Sequence, residues 1–271
     1  MDVGCEVKLS AMKLRLHQFL SKTGVFASKR AVKDAVWAGD VTVNGSVVKD
    51  IAFQFKPNKK EVCYRGERLA LPTTERCFLL NKPAGVVCSR LNSQERELGK
   101  QSVFECFRHH LPDQDFERLI TVGRLDEDTT GLLLVTTDGT FAHRVASPEH
   151  HVSKRYAVST AQPVSNADRE KLRTGVEIEL ESNGEVDIYM TQPAVVEGGE
   201  NLTTILTLAE GKKRQVRRMF ASLGHEVLAL ERLSIGGLHL VDFGLPEGSF
   251  SEIDLNEASE MLFHHSTDKR P

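Results

Sequence analysis

Residues 40–48 read Asp-Val-Thr-Val-Asn-Gly-Ser-Val-Val, two β-branched runs on either side of Asn44-Gly45. An Asn-Gly loop accepts the positive φ of a type I′ turn, whose twist matches the strands it joins. The segment is therefore expected to close as a hairpin. Two helical stretches precede it. Leu14, Leu16, Phe19 and Leu20 recur at near-helical spacing within 12–22, with Gly24 placed to cap the C-terminus. Ser28 is placed to cap a second helix that directs Ala31, Val32, Ala35, Val36 and Trp37 toward a core and ends at Gly39. The order is helix, helix, hairpin, with Lys22, Lys29, Arg30 and Lys33 on or beside the helices.

Charge separates this segment from the rest. Residues 1–70 hold 13 Lys and Arg against 7 Asp and Glu, whereas the remainder holds 22 against 31, so the net −3 conceals a basic first quarter on an acidic body. That asymmetry suits an appended module for a polyanion. Turn-forming residues at Pro57 to Lys60 and Pro72 to Glu75 mark its end, and a domain boundary is expected near residue 73. Residues 1–11 read as a loose extension without the apolar stretch of a secretory signal, and 259–271 as a disordered tail. No run approaches the roughly 18–20 apolar residues of a membrane helix. The five cysteines lack CxxC spacing, which suits a reduced cytoplasmic protein, and no His pair has zinc-ligand spacing to a Cys pair. No structural metal and no membrane association are expected.

Beyond residue 74 short strands alternate with a few helices. Strands are expected at 78–80, 86–87 around the turn Lys82-Pro83-Ala-Gly85, 132–135, 156–158, 202–208, 227–230 and 238–241. Helices are expected at 141–146, 166–173 and 211–223. This pattern implies an α+β domain with a largely antiparallel, mixed sheet flanked by helices.

Three segments carry chemistry. In Gly123-Arg124-Leu125-Asp126-Glu127-Asp128-Thr129-Thr130-Gly131-Leu-Leu-Leu134, an acidic turn between glycines opens onto a buried strand. A lone Asp there would be an ordinary turn residue. The flanking glycines allow close backbone approach, and the apolar strand would hold a side chain rigidly. In Glu210-Gly-Lys-Lys213-Arg214-Gln-Val-Arg217-Arg218, five of the seven residues 212–218 are basic. Helical geometry puts Val216, Phe220 and Leu223 on one face, Arg217 at its border and Arg218 toward solvent. In Lys154-Arg155-Tyr156, a strand tyrosine can serve the core or stack on a base.

Residues 15–50 resemble the S4 RNA-binding domain. GRLDEDTTGLLLVTTDG, KRYAV, and EGKKRQVRRMFASLGHEV followed by RLSIGGLHL resemble the signature segments of S4-bearing ribosomal pseudouridine synthases, over about residues 13–256. SPEHHVSKRYAV and LNKPAGVVCS are most similar to the small-subunit (16S) branch. The resemblance implies an S4-like domain over 12–73 and a synthase domain over 74–258. It implies Asp126 as the catalytic aspartate, Tyr156 against the target base and Arg217 paired with the aspartate. Ile235 and Gly236 would help wall the pocket, and Lys82 and Pro83 would lie near it. Lys29, Arg30 and Lys33 would meet the RNA backbone, as would Lys82, Arg124, Lys213 and Arg214 around the site.

The isomerisation transfers no electrons and adds no group, so no cofactor is expected. The partner is ribosomal RNA, and a monomer is expected. Two other readings compete. A non-catalytic S4-type ribosome-binding protein would not need Asp126, Tyr156 and Arg217 together. An S4-bearing methyltransferase would want a Gly-rich nucleotide loop, and neither Gly198-Gly199 nor Gly236-Gly237 makes GxGxxG. A large-subunit target would keep the chemistry.

Overall fold

The structure, a computed structural model, describes residues 13–57, 59–71, 74–182, 184–198 and 202–263. The extension 1–11, the boundary near residue 73 and residues 264–271 lie outside them. Two compact units result, one of residues 1–75 with 107–119, the other of 76–106 with 120–271.

In the first unit, helix α1 (Leu16–Lys22) and helix α2 (Lys29–Ala38) precede a sheet of β1 (Val41–Val43), β2 (Ser46–Val47), β3 (Val62–Tyr64) and β4 (Glu67–Leu69), in the order β2-β1-β3-β4. The Ser28 hydroxyl accepts the Ala31 N–H at 3.1 Å, and Gly39 ends α2 at φ 84°. Asn44 and Gly45 both take positive φ, as the turn requires. Leu14 is not helical; Leu14–Arg15 forms a short strand against Gln54–Phe55. Trp37 does not reach the core and is 57% exposed. On a helix it lies about 100° beyond Val36, off the Val32–Ala35–Val36 stripe. Residues 107–119 pack within this unit, where the Gln114 side-chain amide donates to the Thr23 carbonyl at 2.9 Å and buried Arg118 pairs with Glu75.

The second unit is built on a mixed sheet. Its strands are β5 (Cys77–Lys82), β6 (Thr129–Thr136), β7 (Lys154–Thr160), β10 (Val195–Gly198), β11 (Thr203–Leu208), β12 (Val227–Ile235) and β13 (Phe250–Ile253). A separate hairpin, β8 (Glu177–Ser182) with β9 (Glu185–Met190), stands beside it. The order is β10-β11-β7-β12-β6-β5-β13, antiparallel throughout except for the parallel pair β6–β12. Leu132, Leu133, Leu134 and Val135 are all fully buried, which explains the unbroken apolar run; each contributes about 1.5–3 kcal/mol. Alternation sends Leu132 and Leu134 to a face covered by α3 (Gly139–Ala146) and α6 (Leu255–Phe263). The other face carries Val158 and Leu230 against α4 (Asn166–Thr174) and α5 (Gln215–Ser222).

Three sequence expectations change. Residues 259–263 are not a disordered tail but the end of α6, because Ala258 and Leu262 are buried in the core. Helix α5 begins at Gln215 rather than 211, since Arg214 takes a left-handed backbone (φ 53°) that breaks the helical run before it. Of the strand expected at 238–241 only Leu238–His239 forms, and residues 240–241 begin a short helix, Leu240–Phe243.

Candidate active site

Four separated motifs meet on one line across the sheet. The register pairs Lys82 of β5 with Gly131 of β6, Gly131 with Arg232 of β12, and Arg232 with Tyr156 of β7. In these three pairs the residues share a face of the sheet. Gly131 has to be glycine. Its φ is +96°, and a Cβ there would lie 2.4 Å from the Arg232 carbonyl oxygen.

The strand β6 begins immediately after the acidic turn. The Thr129 N–H donates to the Asp126 carbonyl at 3.1 Å, and the Gly85 N–H donates to the Glu127 carbonyl at 2.8 Å. Lys82 is fully buried beneath this turn. Its ammonium donates to the carbonyls of Thr129 (2.8 Å), Pro83 (2.9 Å) and Glu127 (3.1 Å). All three of its protons are used. Burial lowers its pKa, against the pull of nearby groups that include Asp126, Glu127 and Asp128. Lys82 was expected to meet RNA; the structure instead seals it against the backbone that carries Asp126. Glu127 is held by Lys100 at 2.6 Å.

Asp126 is half-buried, and among the described residues its carboxylate has no hydrogen bond or ion pair. Arg217 was expected to hold it. The guanidinium instead meets Asp128, Nη2 to Oδ2 at 2.8 Å, while Nη1 donates to the Val227 carbonyl at 3.0 Å. The turn closed between 126 and 129 presents the second of its two aspartates to α5. Arg217 borders the core face as expected, with 13% of its side chain exposed. Arg218 does not simply face solvent; it donates to the Glu179 carbonyl.

Tyr156 is half-buried and packs against the hydrophobic cluster that includes Val158, Leu206, Val216 and Phe220, and no described residue bonds its hydroxyl. Arg124, Lys213 and Arg214 are exposed, with no ion pair among the described residues. Ile235 is 2% exposed and belongs to the core on the α3–α6 side, and a Cβ on Gly236 would lie 3.0 Å from the Leu262 backbone. Ile235 is thus a core side chain, and Gly236 leaves room for the α6 backbone. Among the described residues no three His, Cys, Asp or Glu side chains stand close enough to hold a metal together.

In the first unit, Lys29 and Lys33 line a cleft of about 260 Å³ with His17, Ser21, Val32 and Ile51. One turn of α2 separates the two lysines, so both ammonium groups serve one groove. Arg30 is not in it; it lies 3.9 Å from Asp34, its side chain 92% exposed.

Sequence reasoning missed Asp128, Lys154 and Arg232. Lys154 and Arg232 lie inside the motifs KRYAV and RLSIGGLHL, yet their strands do not meet in the sequence. Asp128 was hidden because two aspartates in one turn are equivalent until the partner helix is placed.

Comparison with known proteins agrees with the geometry. A family model described as RNA pseudouridylate synthase matches residues 76–222, and an S4 domain model matches 14–60. The chain is 34% identical over 250 residues to the ribosomal small subunit pseudouridine synthase A of Escherichia coli, covering 92% of this chain and 100% of that protein. The Yersinia pestis protein of the same name is 34% identical over 252 residues, covering 93% and 100%. A crystal structure of a pseudouridylate synthase superposes with a TM-score of 0.62 at 32% identity, covering 92% of this chain and 99% of that one. The carboxylate of Asp126, unpartnered among the described residues, and the row that ends at Tyr156 thus stand in a chain that belongs to the RNA pseudouridylate synthase family, an isomerase with an S4 domain ahead of its synthase domain.

Proposed function

We propose that this synthase converts a uridine of small-subunit (16S) ribosomal RNA to pseudouridine, acting as a cytoplasmic monomer. The observation that carries the reading is Asp126: a half-buried carboxylate, unpartnered among the described residues, on a turn fixed by Lys82. The reaction breaks N1–C1′, turns the uracil over, forms C5–C1′ and moves the C5 proton away while N1 regains one. Asp126 supplies the negative charge at the sugar, as nucleophile at C1′ or as base. Arg217 holds the turn through Asp128 and places a second cation beside it. Tyr156 offers an aromatic face to the displaced base and a hydroxyl that no described residue bonds. A uridine within a helix is unreachable, so the target has to be flipped out before it meets Asp126. The small-subunit target rests on the names of the relatives.

Tritium release from 5-³H-uridine-labelled RNA tests the assignment. Release from 16S RNA, alone or in assembling subunits, and none from 23S RNA is the expected result. Release from 23S RNA alone would keep the chemistry and overturn the target.

Lys29 and Lys33 give the S4 domain its proposed grip on phosphates. Replacing both with alanine is expected to lower the slope of log affinity against log salt by about 1.4–1.8. An unchanged slope, measured by filter binding at several salt concentrations, would remove them from the interface.

A further inference from the structure

Three buried polar atoms in the second unit have no hydrogen-bond partner among the described residues: Arg232 Nη2, Arg217 Nε and Thr129 Oγ1. Buried polar groups are almost always satisfied, so these exceptions single out the polar neighbourhood behind the acidic turn. These three lie together by topology. Thr129 and Arg232 sit two steps apart along the paired strands β6 and β12, and Arg217 reaches the turn just before Thr129.

Beside them stands an unneutralised cation. Lys154 opens β7, two residues before Tyr156, and is half-buried without a hydrogen bond or ion pair among the described residues. One extra residue in β12 between Ser234 and Arg232 puts Arg232 opposite Tyr156 and Ile235 opposite Lys154. Arg232 is thus paired two residues along β7 from Lys154, and its charge acts on the Lys154 ammonium. Burial, and then the Arg232 charge, pull the Lys154 pKa down to about 8. Arg232 is 3% exposed and held from behind by its Nε bond to the Leu132 carbonyl at 2.7 Å. The neighbouring Arg155 is different, since it is matched by Glu197 at 2.5 Å. Two adjacent cations left without a carboxylate are unfavourable in the free protein, and an anion would relieve both.

We propose that Lys154, backed by Arg232, is a binding site for a backbone phosphate of the RNA, the one next to the uridine that stacks at Tyr156. The inference rests on the synthase reading for the identity of the anion. Phosphate is the only anion that an RNA strand carries, and the site flanks the tyrosine on the same two strands. Lys154 makes the contact. Arg232, too buried to touch the strand, is a positioning residue that holds the local potential positive.

The test uses the full-length protein and a 16S RNA fragment carrying the target uridine. Tritium release by the unaltered protein first decides the synthase reading by itself. Equilibrium binding then reads the inference whether or not turnover occurs. Lys154→Met is expected to weaken RNA binding about tenfold, to lower the salt slope by about 0.7–0.9, and to raise KM with kcat little changed. Removing an unmatched cation should also leave the melting temperature equal or higher, which a merely structural lysine would not do. Lys154→Arg should retain the affinity. As an independent readout, one neutral methylphosphonate linkage beside the target uridine should weaken binding to the unaltered protein. The same linkage should cost nothing more with Lys154→Met. Unchanged affinity and salt slope in folded Lys154→Met, or fully additive losses at both linkages flanking the uridine, would overturn the proposal.

Discussion

Replacing Asp126 with asparagine is expected to lower pseudouridine formation by about three orders of magnitude or more, the scale of loss seen when a reacting group is removed. The change is almost isosteric and deletes the charge. Among the described residues no donor or cation is bonded to the Asp126 side chain, so the amide breaks no contact. Asp126→Asn should therefore keep its melting temperature within a degree or two, and its affinity for RNA. The contrast with Asp128 makes the result diagnostic. Asp128 carries the ion pair to Arg217, so Asp128→Asn should loosen the turn while retaining much of the rate. Single-turnover tritium release from both variants separates the roles. Substantial turnover by Asp126→Asn, or inactivation by Asp128→Asn alone, would assign the reacting carboxylate to Asp128.

The second large effect is expected at Lys82. Its ammonium is the common partner of three carbonyls, two of them in the turn that presents Asp126. Lys82→Met fills much of the same volume and leaves those carbonyls short of a donor. An unsatisfied buried acceptor costs about 1–3 kcal/mol, partly offset here because the buried charge disappears as well. The Glu127 carbonyl still receives the Gly85 N–H. A net loss of about 2–4 kcal/mol is expected, a fall of roughly 5–15 °C in the melting temperature. Turnover should fall with it, below the unfolding transition, because the turn no longer holds Asp126. Calorimetry and initial rates at low temperature check both parts. A variant of unchanged stability would mean that the ammonium does not hold the turn.

Much of the local structure was legible in the chain. The Asn44-Gly45 hairpin, the Ser28 cap and the Gly39 stop form as expected because each depends on neighbours within a few residues. The apolar run Leu132–Val135 announced a fully buried strand by composition alone. Trp37 failed because its hydrophobicity says nothing about which side of α2 it occupies at the last turn. The end of the second unit failed for a related reason. Residues 259–263 (Ser-Glu-Met-Leu-Phe) read as one with the polar segment after them, although Leu262 is buried in the core and Met261 and Phe263 pack against it.

The sequence by itself determined the segments that build the site: an acidic turn before a buried strand, a strand tyrosine and a cationic helix. Which members of those segments meet was decided by tertiary structure. Asp126 and Asp128 are chemically the same side chain in one turn, and only the position of α5 selects Asp128 for Arg217. Lys82 reads as an exposed basic residue until three carbonyls close around it. Lys154 and Arg232 lie 78 positions apart, and strand register alone brings their charges together. Local propensity acts over a few residues through backbone sterics and capping. Charge pairing and burial depend on distance in space, which the sheet register sets.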